Sequence, residues 1–202
     1  MLNVSEIQHS GHCRACKERV GELLITLYGE CLTNHSFPWS ARPEDYADTA
    51  IGAALLRIRA GLAQSRGHRD FIKSPRVPPC DYYVPKQKLI VEFDENQHFS
   101  RPRLVALSLY PVEVKCGFSL ARWEELCRAI DAHDDIPFDR DERRAWYDTL
   151  RDLVPAIHGF NPTIRLYAED FEWCSLDGAG ARDIECFRLT MLGRALKNSF
   201  SP

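Results

Sequence analysis

Several features are missing from this 202-residue chain, and each absence narrows what it can be. There is no run of about 18 apolar residues, so no segment reads as a membrane span. The start, Met1-Leu2-Asn3-Val4-Ser5-Glu6, has neither the basic residues nor the apolar stretch of a signal peptide. The expected compartment is therefore the cytoplasm. No internal repeat or low-complexity tract is visible, so a repeat architecture is not indicated. Neither sign of charge dominates: the formal net charge is −3, which argues against blanket nucleic-acid affinity and leaves room for a local basic patch. No second Cys-x-x-Cys follows the one at Cys13–Cys16, so a two-knuckle zinc pattern is incomplete.

What is present suits a folded protein. Hydrophobic residues make up 45%, an ordinary share for a globular chain, and the length fits one domain with insertions. In the expected compartment, the eight cysteines read as thiols or metal ligands rather than disulfides.

The most informative stretch runs from Pro78-Pro79-Cys80-Asp81 to Gln97-His98. Two β-type runs flank Pro85-Lys86-Gln87-Lys88, the pattern of a hairpin. Leu89, Val91 and Phe93 alternate with Ile90, Glu92 and Asp94, so Glu92 and Asp94 share one face of a strand. Asp81 lies on the neighbouring strand. Three converging carboxylates repel one another unless a cation joins them, and an all-oxygen set suits Mg²⁺ or Mn²⁺.

These residues resemble the PD-(D/E)xK nuclease superfamily, and within it the branch of the very-short-patch repair endonuclease. That branch carries Glu-x-Asp-Gly-x-x-His; here the run is Glu92-Phe93-Asp94-Glu95-Asn96-Gln97-His98. Asp81 matches the first acidic motif and Glu92 the second. Thr163-Ile164-Arg165-Leu166-Tyr167 resembles the last core strand, with its Arg. The likeness covers residues 18–37, 77–99 and 162–173. Two departures stand out. Cys80 intervenes in the Pro-Asp pair, and Asp94 stands where the family has Lys, a role for which Lys88 and Gln97 are the candidates.

The resemblance implies a restriction-endonuclease-like α/β fold, a mixed central sheet flanked by helices. Helical insertions would occupy about 43–76 and 104–158 of a single domain over 1–176, followed by a hinge and short helix over 177–202. It implies a metal-dependent endonuclease cutting DNA phosphodiester bonds. The alternative is an inactive nuclease fold that binds DNA or a protein partner. The metal ligands would be Asp81, Glu92 and the backbone carbonyl of Phe93. Asp94, Gln97 and His98 would assist, with Glu22 from the first helix as a further catalytic carboxylate. Two-strand cutting by this fold usually takes two copies, so a homodimer is an expected arrangement.

Along the chain, His9, Cys13 and Cys16 form a zinc-compatible knuckle, which Cys31, Cys116 or Cys174 could complete only through the fold. Val20, Leu23, Leu24 and Leu27 predict a helix over 14–28 that stops at Gly29. Leu32 to Phe37 reads as a short strand. A second helical segment over 43–65 carries the stripe Ile51, Leu55, Ile58 and Leu62. Arg57, Arg59, Arg66, His68, Arg69, Lys73 and Arg76 follow closely enough to meet phosphates, or to form a solvated face. Arg69, Lys73 and Arg76 are the preferred DNA contacts there, joined by Arg101 and Arg103, which could equally be a loop around a turn Pro, and by Arg165, whose alternative is a structural partner for a carboxylate such as Glu92 or Asp94. Helices are expected over about 104–109, 121–132, 140–154 and 184–196, and a strand over 163–168.

Overall fold

The structure is a computed structural model and describes residues 13–196. His9 lies outside the described residues. The chain is an α/β protein with a four-stranded mixed sheet in the order β1-β2-β3-β4. Strands β1 (Leu32–His35), β2 (Cys80–Val84) and β3 (Leu89–Asp94) form an antiparallel run, and β4 (Ile164–Tyr167) joins β3 in parallel.

The hairpin forms as the turn chemistry predicts. Pro85–Gln87 makes one tight turn and Lys88 takes the left-handed conformation, φ 44°, that returns the chain into β3. The register then sets Tyr82 opposite Val91 and Tyr83 opposite Ile90. Across β3 and β4, Glu92 faces Arg165 and Asp94 faces Tyr167. Period-2 alternation therefore sorts two sets of side chains onto two faces.

One face is apolar. Tyr82, Val84, Leu89, Val91, Phe93, Ile164 and Leu166 pack with Val20, Leu23 and Leu24 of α1 (Arg14–Tyr28). Each such aliphatic side chain contributes about 2 kcal/mol when fully buried. Gly29 ends α1 in the left-handed conformation, φ 85°. Trp173 follows β4 and packs on this face, joined by Phe187 and Met191 of α6 (Ala181–Leu196).

The other face carries Asp81, Glu92, Asp94 and Arg165, and it is covered by helices. These are α2 (Gly52–Ser65), α3 (Arg101–Ser108), α4 (Leu120–Ile130) and α5 (Arg140–Ile157). The last three lie on the connection from β3 to β4, the long crossover that parallel neighbours need.

Two helical expectations are corrected. Segment 43–65 is a single turn, Pro43–Tyr46, and then α2, with a break between them. Gly52 opens α2 because a Cβ there would lie 2.2 Å from the Tyr46 carbonyl oxygen. The helix expected over 104–109 begins earlier, at Arg101. Ser100 caps it, its side chain accepting from the Arg103 N–H.

Candidate functional site

Asp81 and Glu92 come together through the register of the hairpin. The Asp81 N–H donates to Glu92 Oε1 at 3.3 Å, and the Phe93 N–H donates to Asp81 Oδ2 at 2.9 Å. Both carboxylates sit where β2 begins and β3 nears its end.

Lys17 reaches the same place from α1. Its ammonium stands 3.3 Å from Asp81 Oδ1, and its backbone carbonyl accepts the Tyr82 hydroxyl at 2.7 Å. The apolar face of β2 thereby fixes the first turn of the helix, and the side chain extends toward the carboxylates. Burial works against the Lys17 charge, but Asp81 and Glu95 outweigh it and hold the ammonium above its ordinary pKa. A cleft of about 440 Å³ opens beside Lys17 and Asp81, lined also by Arg14, Glu18, Thr33, Asn34 and Tyr82.

Glu92 is 3% exposed. Burial, reinforced by the neighbouring Asp81 charge, pushes its carboxyl up to about 8 against the pull of Arg151 and Arg165. Arg151 Nε lies 3.5 Å from Glu92 and has no hydrogen-bond acceptor of its own. The rest of that guanidinium is engaged by Asp148 at 3.3 Å and by the Pro79 carbonyl at 3.1 Å.

Beneath this pair lies a buried ionic layer. Arg165 donates to Asp94 at 2.6 Å, to Asp152 at 2.8 Å and to the Asp148 carbonyl at 3.2 Å. Arg103 donates to Asp152 at 2.7 Å and to the Tyr110 hydroxyl at 2.9 Å. Trp123 Nε1 donates to the second Asp94 oxygen at 2.7 Å. His98 Nδ1 meets Asp148 at 2.9 Å. Burial opposes the His98 charge, yet Asp148 and Asp94 prevail and raise its pKa. Asp148 is held well below the usual carboxylate range: burial opposes its ionisation, and His98 and Arg165 overcome it.

Several expected roles are corrected by this layer. Asp94 is 1% exposed and bound on both oxygens, so it does not join Asp81 and Glu92. Arg103, 1% exposed, cannot reach a phosphate on the surface and neutralises a buried carboxylate instead, and Arg165, 0% exposed, takes the second of its two expected roles, as the structural partner of Asp94. Glu22 is exposed, pairs with Arg19 at 2.7 Å and lies toward Gly178 rather than the carboxylates. Lys88 lies in the hairpin turn, at the far end of β2 and β3 from Asp81.

Other expected residues are placed as follows. The Gln97 side chain donates to Glu95 at 2.7 Å, and its backbone carbonyl accepts from Arg144 at 2.8 Å. Arg101, Arg69 and Arg76 are exposed. Lys73 is exposed and paired with Asp70 at 2.9 Å. Arg66, in the same basic run, is taken up by Glu142 and Asp135.

Sequence reasoning missed Lys17, Arg151 and Asp148. Lys17 had a signal: it extends the buried stripe Val20–Leu24–Leu27 backward by one turn, a charge on an apolar face. Asp141, Ala145, Asp148 and Asp152 likewise share one stripe of α5, all buried.

Among the described residues, two groups bring three metal-competent atoms within 4.8 Å: Cys13, Cys16 and Cys174, and His133, Asp135 and Asp141. The second is threaded by arginines, with Arg66 2.9 Å from Asp135 and 3.6 Å from Asp141. Compared with protein-family models, curated proteins and solved structures, the chain matches none of them.

Proposed function

We propose that the protein is a metal-dependent endonuclease that hydrolyses DNA phosphodiester bonds at Asp81 and Glu92. One observation carries the reading. Two carboxylates are direct neighbours across the β2–β3 pair, one of them with a pKa raised to about 8, and a lysine ammonium stands beside the other, Asp81, in the lining of a cleft.

The donor set fits Mg²⁺ or Mn²⁺. Adjacent carboxylates that resist ionising together gain most from a divalent cation, and their hard oxygens suit these ions. The Phe93 backbone carbonyl is the further ligand this reading assigns. Such an ion, when bound, acidifies a water and neutralises charge on the phosphate.

The chain's own residues supply the rest. Lys17 lies where it can meet a non-bridging phosphate oxygen, the role of the family's missing lysine delivered from α1 instead of β3. His98, its pKa raised by Asp148 and Asp94 against burial, could donate a hydrogen bond to phosphate or take the water's proton. Gln97 and Glu95, joined at 2.7 Å, form a polar edge able to orient a water. Arg101 and the exposed Arg69, Lys73 and Arg76 remain the candidate phosphate contacts, and DNA the partner.

A second reading is a nuclease-like protein that binds DNA or a protein partner without cutting. It is favoured by Asp94, which occupies the family's lysine position and is sealed in the ionic layer. The test is a panel of supercoiled, linear and single-stranded DNA, with RNA alongside, incubated with Mg²⁺ or Mn²⁺. Cleavage by the wild type that disappears in Asp81→Asn and Glu92→Gln is expected. Cleavage that survives either change overturns the assignment. DNA retained in EDTA, with no cleavage under any condition, selects the second reading.

A further inference from the structure

We propose that Cys13, Cys16 and Cys174 bind a zinc ion that clamps the segment after β4 onto the start of α1. The three sulfurs lie within 4.8 Å of one another. Tetrahedral zinc with Zn–S near 2.3 Å sets its sulfurs about 3.8 Å apart, so the thiols need little movement to become ligands.

The cage is built from two separate elements. Cys13 is the N-cap residue of α1, and its carbonyl accepts the Cys16 N–H at 3.1 Å and the Lys17 N–H at 3.3 Å. That is a tight knuckle, with two sulfurs one turn apart. Cys174 lies in the single turn Trp173–Ser175. Trp173 anchors that turn: its ring is 1% exposed against Phe93 and Phe187, and its Nε1 donates to the Tyr167 carbonyl at 3.1 Å. Position along the chain therefore does not explain the meeting of Cys174 with Cys13 and Cys16; the fold delivers it.

The chemistry favours metal over a disulfide. A disulfide would use two sulfurs and leave the third thiol against it, whereas zinc uses all three. Binding converts three thiols to thiolates and releases three protons to solvent. One tetrahedral position remains for a further donor. Because Lys17 follows Cys16 directly, the clamp also sets where the Lys17 side chain begins.

The test uses the full chain purified under reducing conditions and reads metal content, independently of any cleavage. About one zinc per chain is expected in the wild type and in Cys186→Ser, an exposed cysteine outside the cage. Cys174→Ser is expected to lower zinc affinity by about tenfold or more. Should that variant fold poorly, alkylation of the native wild type gives a second measurement. Cys13, Cys16 and Cys174 are expected to be protected with zinc bound and to react after chelation. Zinc-free wild type that takes up no added Zn²⁺, full zinc retention in Cys174→Ser, or a disulfide between any two of the three overturns the proposal.

Discussion

Lys17 and Glu92 show how much a single residue's surroundings decide at this site. Lys17 is about one-third exposed and faces Asp81, so it can leave that partner for an incoming phosphate with little desolvation. Lys17→Met is expected to slow DNA cleavage by about 100-fold or more while divalent-cation affinity changes little. Cleavage assays paired with Mn²⁺ titration would check this, and unchanged cleavage would remove Lys17 from the proposed mechanism. Glu92 makes a pH prediction. Its carboxyl is pushed up to about 8 from 4.5, chiefly by burial. Between those values the metal-free folded chain holds a proton that the unfolded chain releases, so stability falls as pH rises through that window and levels off above it. Glu92→Gln is expected to match the wild type near pH 4 and to exceed it by about 2–4 kcal/mol near pH 9 in urea unfolding. A metal that displaces the proton should bind more tightly as pH approaches 8, and isothermal titration across pH reads this directly.

At the scale of elements, β3, β4, α3, α4 and α5 are joined by an ionic layer as much as by apolar packing. Asp152 accepts from Arg103 and Arg165, both sealed from water. Asp152→Ala would leave two buried guanidinium groups under-neutralised, at a cost of about 3–5 kcal/mol in chemical denaturation. A loss below 1 kcal/mol would mean that Asp94 and Tyr110 suffice. This layer also marks the boundary of what the sequence disclosed. Alternation of Leu89, Val91 and Phe93 fixed the faces of β3, and the hairpin turn then set Asp81 against Glu92. The same pattern could not distinguish Asp94 from Glu92, which share a face. Glu92 meets Asp81 and Asp94 meets Arg165, even though the β4 register sets Arg165 opposite Glu92, so side-chain reach rather than register separates them. Arg103 was illegible for a related reason: the Ser100 cap starts α3 early, and that turns a loop arginine into a buried helical one. Periodicity reports which face is buried, and it is silent about which charge a buried charge will find.

For the whole molecule, the chain closes on itself, with its last described helix packed beside its first. Trp173, Phe187 and Met191, each 1% exposed, cover the apolar face of the sheet together with Val20, Leu23 and Leu24 of α1. The Thr26 hydroxyl lies 3.3 Å from the Gly178 carbonyl, and Arg19 lies close to Gly178, so the turn before α6 is also tied to α1. This arrangement bears on whether residues 1–176 can stand alone. Cutting after 176 keeps Trp173 but removes Phe187 and Met191 and uncovers the side chains beneath them. Emptying two buried sites of that size costs about 4–8 kcal/mol, comparable to the entire stability of many domains. The shortened chain is therefore expected to lose its cooperative thermal transition or to melt at least 15 °C lower, a shift of the size that several kcal/mol produces in a chain of this length. A melting temperature within a few degrees of the full chain would show instead that α1 and Trp173 alone seal this face. If so, α6 would be an appendage that plays no part in holding Lys17 against Asp81.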